Sequence, residues 1–165
     1  MRIRYAEDSN YWDTTVHPSK SQGEIVEMLE DFGAEQIMSV QGQSAGKYAW
    51  MIRFRWNGAN YRFIFSPKEC RTPTKVSTFG GKKRVHPDQA RYQMGRTAAW
   101  FVKAILTATE ERPESIFGFM ELPGGGAHPS GIPYIASELN VSELVSLAPP
   151  SPEMLFLLNP PHEWE

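Results

Sequence analysis

Tyr48-Ala49-Trp50-Met51-Ile52-Arg53-Phe54-Arg55-Trp56-Asn57-Gly58-Ala59-Asn60-Tyr61-Arg62-Phe63-Ile64-Phe65 is the stretch that decides the fold class. Aromatic and branched side chains alternate with period two on both sides of Asn57-Gly58, the dipeptide best suited to a two-residue turn with positive φ at both centres. Such a turn sets the register: Trp56 faces Ala59, Phe54 faces Tyr61, Ile52 faces Phe63 and Trp50 faces Phe65, on the side expected to be buried. On the other side Arg53 faces Arg62 and Arg55 faces Asn60, with Met51 and Ile64 beyond. Like charges placed opposite each other destabilise a ladder. The arginines are therefore expected to meet an anion or open solvent.

Upstream, Ser21-Gln22-Gly23-Glu24 fits a capping box, with Ile25, Met28, Leu29 and Phe32 on one helical face behind it and Gly33 as a left-handed stop. Glu24, Glu27, Glu30 and Asp31 form that helix's solvated face. Residues 35–41 are apolar enough for a short strand. Downstream, residues 66–86 show no periodicity, are broken by Pro67, Pro73, Gly80 and Gly81, and read as a flexible basic loop. His86-Pro87-Asp88 opens a long helix that Pro113 ends. Ala90, Met94, Ala98, Phe101 and Ile105 form its expected core stripe, beside Val102 and Leu106. Gln89, Tyr92, Gln93, Arg96, Trp100, Lys103 and Thr107 lie opposite, a face expected either to be open or to lie under the C-terminal segment. Residues 116–122 read as a fourth strand, Pro123-Gly124-Gly125-Gly126 as its turn, and part of 133–147 as a short helix. The resulting fold class is α+β, a small antiparallel sheet of three to four strands packed on two or three helices. It forms one domain over 1–148, with a proline-rich tail over 149–165.

The composition, 165 residues with 41% apolar and 22% charged, suits one globular domain. No apolar run reaches the roughly 18 residues needed to cross a bilayer, so a cytoplasmic protein is expected. Cys70 is the single cysteine, which excludes an intramolecular disulfide and a cysteine-built zinc site. The net charge of -2 hides a segregation: residues 47–103 carry thirteen basic groups against Glu69 and Asp88, whereas the flanking segments are acidic. A middle third at +11 attracts polyanions unless the acidic ends fold over it.

No catalytic pattern stands out. The four histidines, at 17, 86, 128 and 162, are scattered, so no metal or other cofactor is expected. Lysines and arginines around Cys70 could lower its pKa, but no histidine partner is identifiable. A divalent-metal nuclease would need strand carboxylates, and Glu121, Glu24 and Glu27 are the loose candidates. The expectation is a protein without enzymatic activity.

The order helix, three antiparallel strands, helix, with Lys82-Lys83-Arg84 before the second helix, is similar in topology to the double-stranded-RNA-binding domain. A closer resemblance covers roughly residues 14–125. Glu24-Ile25 through Gly33-Ala34, Tyr61-Arg62-Phe63 with Pro67 behind, the arginine-rich helix reaching Lys103-Ala104, and Leu122-Pro123-Gly124 resemble small uncharacterised proteins of bacteriophages and prophages. That resemblance implies a phage origin and a bacterial host cytoplasm, and no mechanism.

The functional expectation is a nucleic-acid-binding accessory protein. Arg53, Arg55, Arg62, Lys82, Lys83, Arg84, Arg96 and Lys103 are expected on DNA or RNA phosphates, with Tyr92 and Trp100 for stacking. The alternative is a protein-binding module, a subunit or inhibitor, acting through an exposed aromatic face and an apolar tail around Met154, Leu155, Phe156 and Leu157.

Overall fold

A computed structural model describes residues 4–44, 46–122 and 133–135. Three strands, β1 (Glu35–Ser44), β2 (Lys47–Trp56) and β3 (Ala59–Phe65), form an antiparallel sheet in that order. On β2 and β3, Trp56 lies opposite Ala59, Arg53 opposite Arg62 and Trp50 opposite Phe65. Between the two strands Asn57 and Gly58 take φ of 47° and 80°, the left-handed region that their short or absent side chains tolerate. Trp50, Ile52, Phe54, Tyr61 and Phe63 form the buried inner face, packed against Ile25 and Leu29 of α1 (Pro18–Phe32) and Met94, Ala98, Val102 and Leu106 of α2 (His86–Glu111). Each such side chain contributes about 1.5–3 kcal/mol by leaving water, which makes this layer the main stabilising element.

Helix α1 begins at Pro18 rather than behind a capping box at Ser21. The His17 imidazole caps it, its Nδ1 accepting from the Ser19 amide at 3.1 Å, and Pro18 lacks the donor that a first turn cannot use. Gly33 ends the helix at φ 91°. Ser21 is fully buried one turn in, against Gly95 of α2. A Cβ on Gly95 would come to 3.2 Å from the Ser21 Cβ and 3.3 Å from the Trp50 ring, so two small residues allow the close approach of the helices.

The seam of α2 is rotated from the expected stripe. Phe101 is 38% exposed, and Gly95 and Ala99 are buried in its place, because α1 and the sheet together cover the arc centred on Ala98. Phe101 instead closes the border of the core edge-on to Phe65 and Phe119, at 5.7 and 5.6 Å.

Two further expectations are corrected. The supposed basic loop contains β4 (Val76–Phe79) and β5 (Lys82–Val85), a two-stranded antiparallel sheet turned at Gly80 and Gly81. Four-residue strands are too short for periodicity to reveal, but Gly-Gly between branched segments is a turn signal. The supposed fourth strand is a 3-10 helix over Pro113–Phe119, anchored by the buried Ile116. Pro113 stops α2, yet its φ suits the start of a new helical turn. Only Met120 and Glu121 pair in β fashion, with Tyr61 and Ile135 respectively. The helix expected within 133–147 is thus extended at Ile135. Its remainder, the Pro123–Gly126 turn and the tail with Met154, Leu155, Phe156 and Leu157 lie outside the described residues. Among the described residues no helix is long and apolar enough to cross a membrane.

Candidate nucleic-acid interface

Two of the three arginines of the outer sheet face, Arg53 and Arg62, meet groups of the protein itself. Arg53 donates through Nε and Nη2 to the two carboxylate oxygens of Glu121, each at 2.7 Å. Arg62 is fully buried, with Nη1 2.8 Å from the Pro133 carbonyl and 4.0 Å from Glu121 Oε1. Hydrogen bonding to Glu121 holds the Arg53 guanidinium above its usual pKa. The like-charge pair therefore meets an anion, as its register demands, but the anion is the protein's own. Arg53 and Arg62 are withdrawn from the phosphate-contacting set, and Glu121 from the metal-ligand candidates. Arg55 alone of the three remains exposed.

The first turns of the polar face of α2 are covered by the N-terminal segment, while Trp100, Lys103 and Thr107 are exposed; the C-terminal segment expected over this face lies outside the described residues. The Gln93 side-chain amide donates to the carbonyls of Ala6, Ser9 and Asn10 at 2.8–3.2 Å, and Gln89 donates to those of Trp12 and Thr14. Each buried glutamine thus satisfies carbonyls of a segment whose own regular structure, among the described residues, is a 3-10 helix at Ala6–Asp8 and a turn closed by the Thr14 amide on the Tyr11 carbonyl.

At the start of α2, His86 Nδ1 lies 2.9 Å from Glu7 Oε1 and its Nε2 lies 2.9 Å from the Ser77 hydroxyl. The order Ser77, His86, Glu7 has the connectivity of a nucleophile, base and acid. Its setting is that of a clasp: His86 is 4% exposed, Thr72 shares Nδ1 at 3.0 Å, and the Trp12 ring packs edge-on at 5.0 Å. Burial pushes the Glu7 carboxyl up, but the amides of Arg71 and Thr72 and the His86 ring outweigh it and bring its pKa down to about 2. The clasp joins the N-terminal segment, the 66–75 loop, β4 and α2.

The remaining predicted residues fall into separate groups. Lys82 and Lys83 are exposed on β5 and, with Lys75, have no ion pair among the described residues. Arg84 lies over the Tyr92 ring at 4.0 Å and donates to Gln89, so Tyr92 is covered rather than open for stacking. Arg96 is held by Glu24 at 2.7 Å. Trp100 is 51% exposed, stacked on Tyr11 at 6.5 Å, with Lys103 Nζ 5.5 Å from its ring. Arg96, Trp100 and Lys103 share a groove with Glu24, Glu27 and Asp31, an acidic neighbourhood unsuited to phosphate. Cys70 has its thiol pKa raised, by burial and by Glu7, against the expected lowering. Among the described residues no three His, Cys, Asp or Glu side chains are grouped to hold a metal.

Folding brings together a set that sequence reading missed. Lys47, Tyr48, Lys68, Glu69, Pro87 and Arg91 line a cleft of ≈ 440 Å³ between the start of β2, the 66–75 loop and the start of α2. The Arg91 guanidinium sits over the Tyr48 ring at 4.2 Å. Lys68 donates to the Ser9 hydroxyl, and Lys47 lies 3.6 Å from Glu69. The only local hint was the density of lysine and proline in the loop. Comparison with protein families, with curated proteins and with solved structures finds no match for this chain.

Proposed function

We propose that this chain is a nucleic-acid-binding accessory protein that contacts phosphates through the end of the molecule made by the 66–75 loop, the β4–β5 ribbon and the first turns of α2. One observation supports this above all. Lys68, Arg84 and Arg91 are satisfied by a hydroxyl, an amide and aromatic rings, while Lys75, Lys82 and Lys83 make no ion pair among the described residues. Neutral partners orient a cation without cancelling its charge, whereas Arg53, Arg62, Arg71 and Arg96 each lie within 4.0 Å of a carboxylate, of Glu121, Asp8 or Glu24.

The interface consists of Lys68, Lys75, Lys82, Lys83, Arg84 and Arg91. It carries no base-reading helix, so binding is weakly sequence-specific. Salt titration of the full chain on a mixed-sequence oligonucleotide tests the reading. With about five phosphates neutralised, log affinity falls against log salt with a slope near -4. Affinity independent of salt, or no retention at low salt, overturns it.

A further inference from the structure

We infer that the bound nucleic acid is single-stranded and that one of its nucleotides seats in the cleft between β2, the 66–75 loop and α2. This rests on the phosphate-binding reading above and adds what kind of strand the site takes.

The cleft measures ≈ 440 Å³, inside the range of about 300–1,000 Å³ that single small ligands occupy. A base in a duplex is stacked and paired, and reaches such a cavity only by being flipped out at a cost. An unpaired base meets no such barrier.

The lining is built for a flat ring with charge at its edge. Arg91 is exposed, and Tyr48 beneath it is fixed by its own hydroxyl, which donates to Gln41 at 2.6 Å and accepts from Trp50 Nε1 at 2.9 Å. A guanidinium held over an anchored ring presents a planar surface on which any base can stack. Pro67, Pro73 and Pro87 line the same cleft, and their locked φ angles leave little freedom to be lost on binding.

Charge orients the nucleotide. Glu69 lies 3.6 Å from Lys47, and its negative charge disfavours a phosphate next to that pair. Lys68 and Arg91 line the same cleft with no acidic partner among the described residues, and the phosphates of the strand meet these two groups. The neutral base lies inward and the phosphates at the rim.

The test is fluorescence anisotropy of the full chain with a labelled oligothymidine of about 15 nucleotides, against a duplex of the same length. The single strand should bind roughly tenfold tighter, the size of one base-stacking contribution. Arg91→Ala should bring the two affinities close to equal. Arg91→Lys, which keeps the charge and loses the plane, should do the same. Lys82→Glu should weaken both ligands and preserve their ratio. A duplex bound as tightly as the single strand, or a ratio unmoved by Arg91→Ala in a variant with native circular dichroism, overturns the inference while leaving phosphate binding standing. Free thymidine monophosphate competing as well as the oligomer overturns it too, by making the cleft a small-molecule site. Failure of both strands to bind at low salt removes the phosphate reading itself.

Discussion

Glu121 grips Arg53 with both carboxylate oxygens at 2.7 Å and lies at 4.0 Å from the buried Arg62. One carboxylate, brought in by the turn after α2, thus lies against both of the guanidinium groups that the register of β2 and β3 sets face to face.

Removing that carboxylate leaves Arg62 charged in a site with no access to water. Glu121→Ala should therefore cost about 3–5 kcal/mol, the usual penalty for breaking a buried ion pair by removing one partner. Urea denaturation measures it. A loss below about 1 kcal/mol would show that the pair contributes no more than a surface ion pair does. Charge reversal at Arg53 and Arg62 together should likewise unfold the domain rather than selectively abolish nucleic-acid binding.

The Glu7 carboxyl has a pKa lowered from 4.5 to about 2 in the folded chain. A group with a depressed folded pKa contributes stability that is complete above its unfolded value. That contribution shrinks as pH falls from 4.5 and is gone below about 2. The full contribution is on the order of 3 kcal/mol. Glu7→Gln should be less stable than the parent at neutral pH, and the two acid-unfolding curves should converge near the folded pKa. Curves that stay parallel throughout would separate Glu7 from the acid sensitivity.

The two N–H donors of the Gln93 amide are shared among three carbonyls of the N-terminal segment, of which that of Ala6 also accepts from the Ser9 amide. Gln93→Ala should release that segment at a cost of about 1–3 kcal/mol, the penalty for buried acceptors left without donors. Limited proteolysis should then cut within residues 6–14 well before global unfolding. An unchanged cleavage pattern would show that Gln89 and the His86 clasp suffice to hold the segment.

Lys82 and Lys83 are exposed and make no ion pair among the described residues. The double change to Glu should leave stability within about 0.5 kcal/mol while lowering nucleic-acid affinity and reducing the magnitude of the salt slope by about 2. Unaltered binding with native stability would move the phosphate contacts away from the β4–β5 ribbon.

Arg53 shows how far local reasoning reaches. Its strand, its cross-strand partner and its outward direction are all legible from alternation and turn chemistry, and so is the need for an anion. Its partner lies 68 residues away, and no pattern in the chain links the two. Gln89 and Gln93 carry a similar lesson. Placed by helical spacing on the polar side of α2, they are nevertheless buried, because the segment that covers them has unsatisfied carbonyls of its own to offer. The β4–β5 ribbon escaped notice for a third reason, since strands of four residues are too short to display a period.

By itself, then, the order of residues determined the pairing of β2 with β3, the existence of both long helices and the concentration of positive charge in the middle third, because turn preference, side-chain periodicity and net charge are properties of neighbouring residues. Only the tertiary structure decided which of those charges survive. Cancellation requires an acid within about 4 Å, and that proximity depends on which distant segments the core draws together. The fold closes Glu121 and Glu24 onto the sheet and helix arginines and leaves the lysines around the start of α2 to the solvent.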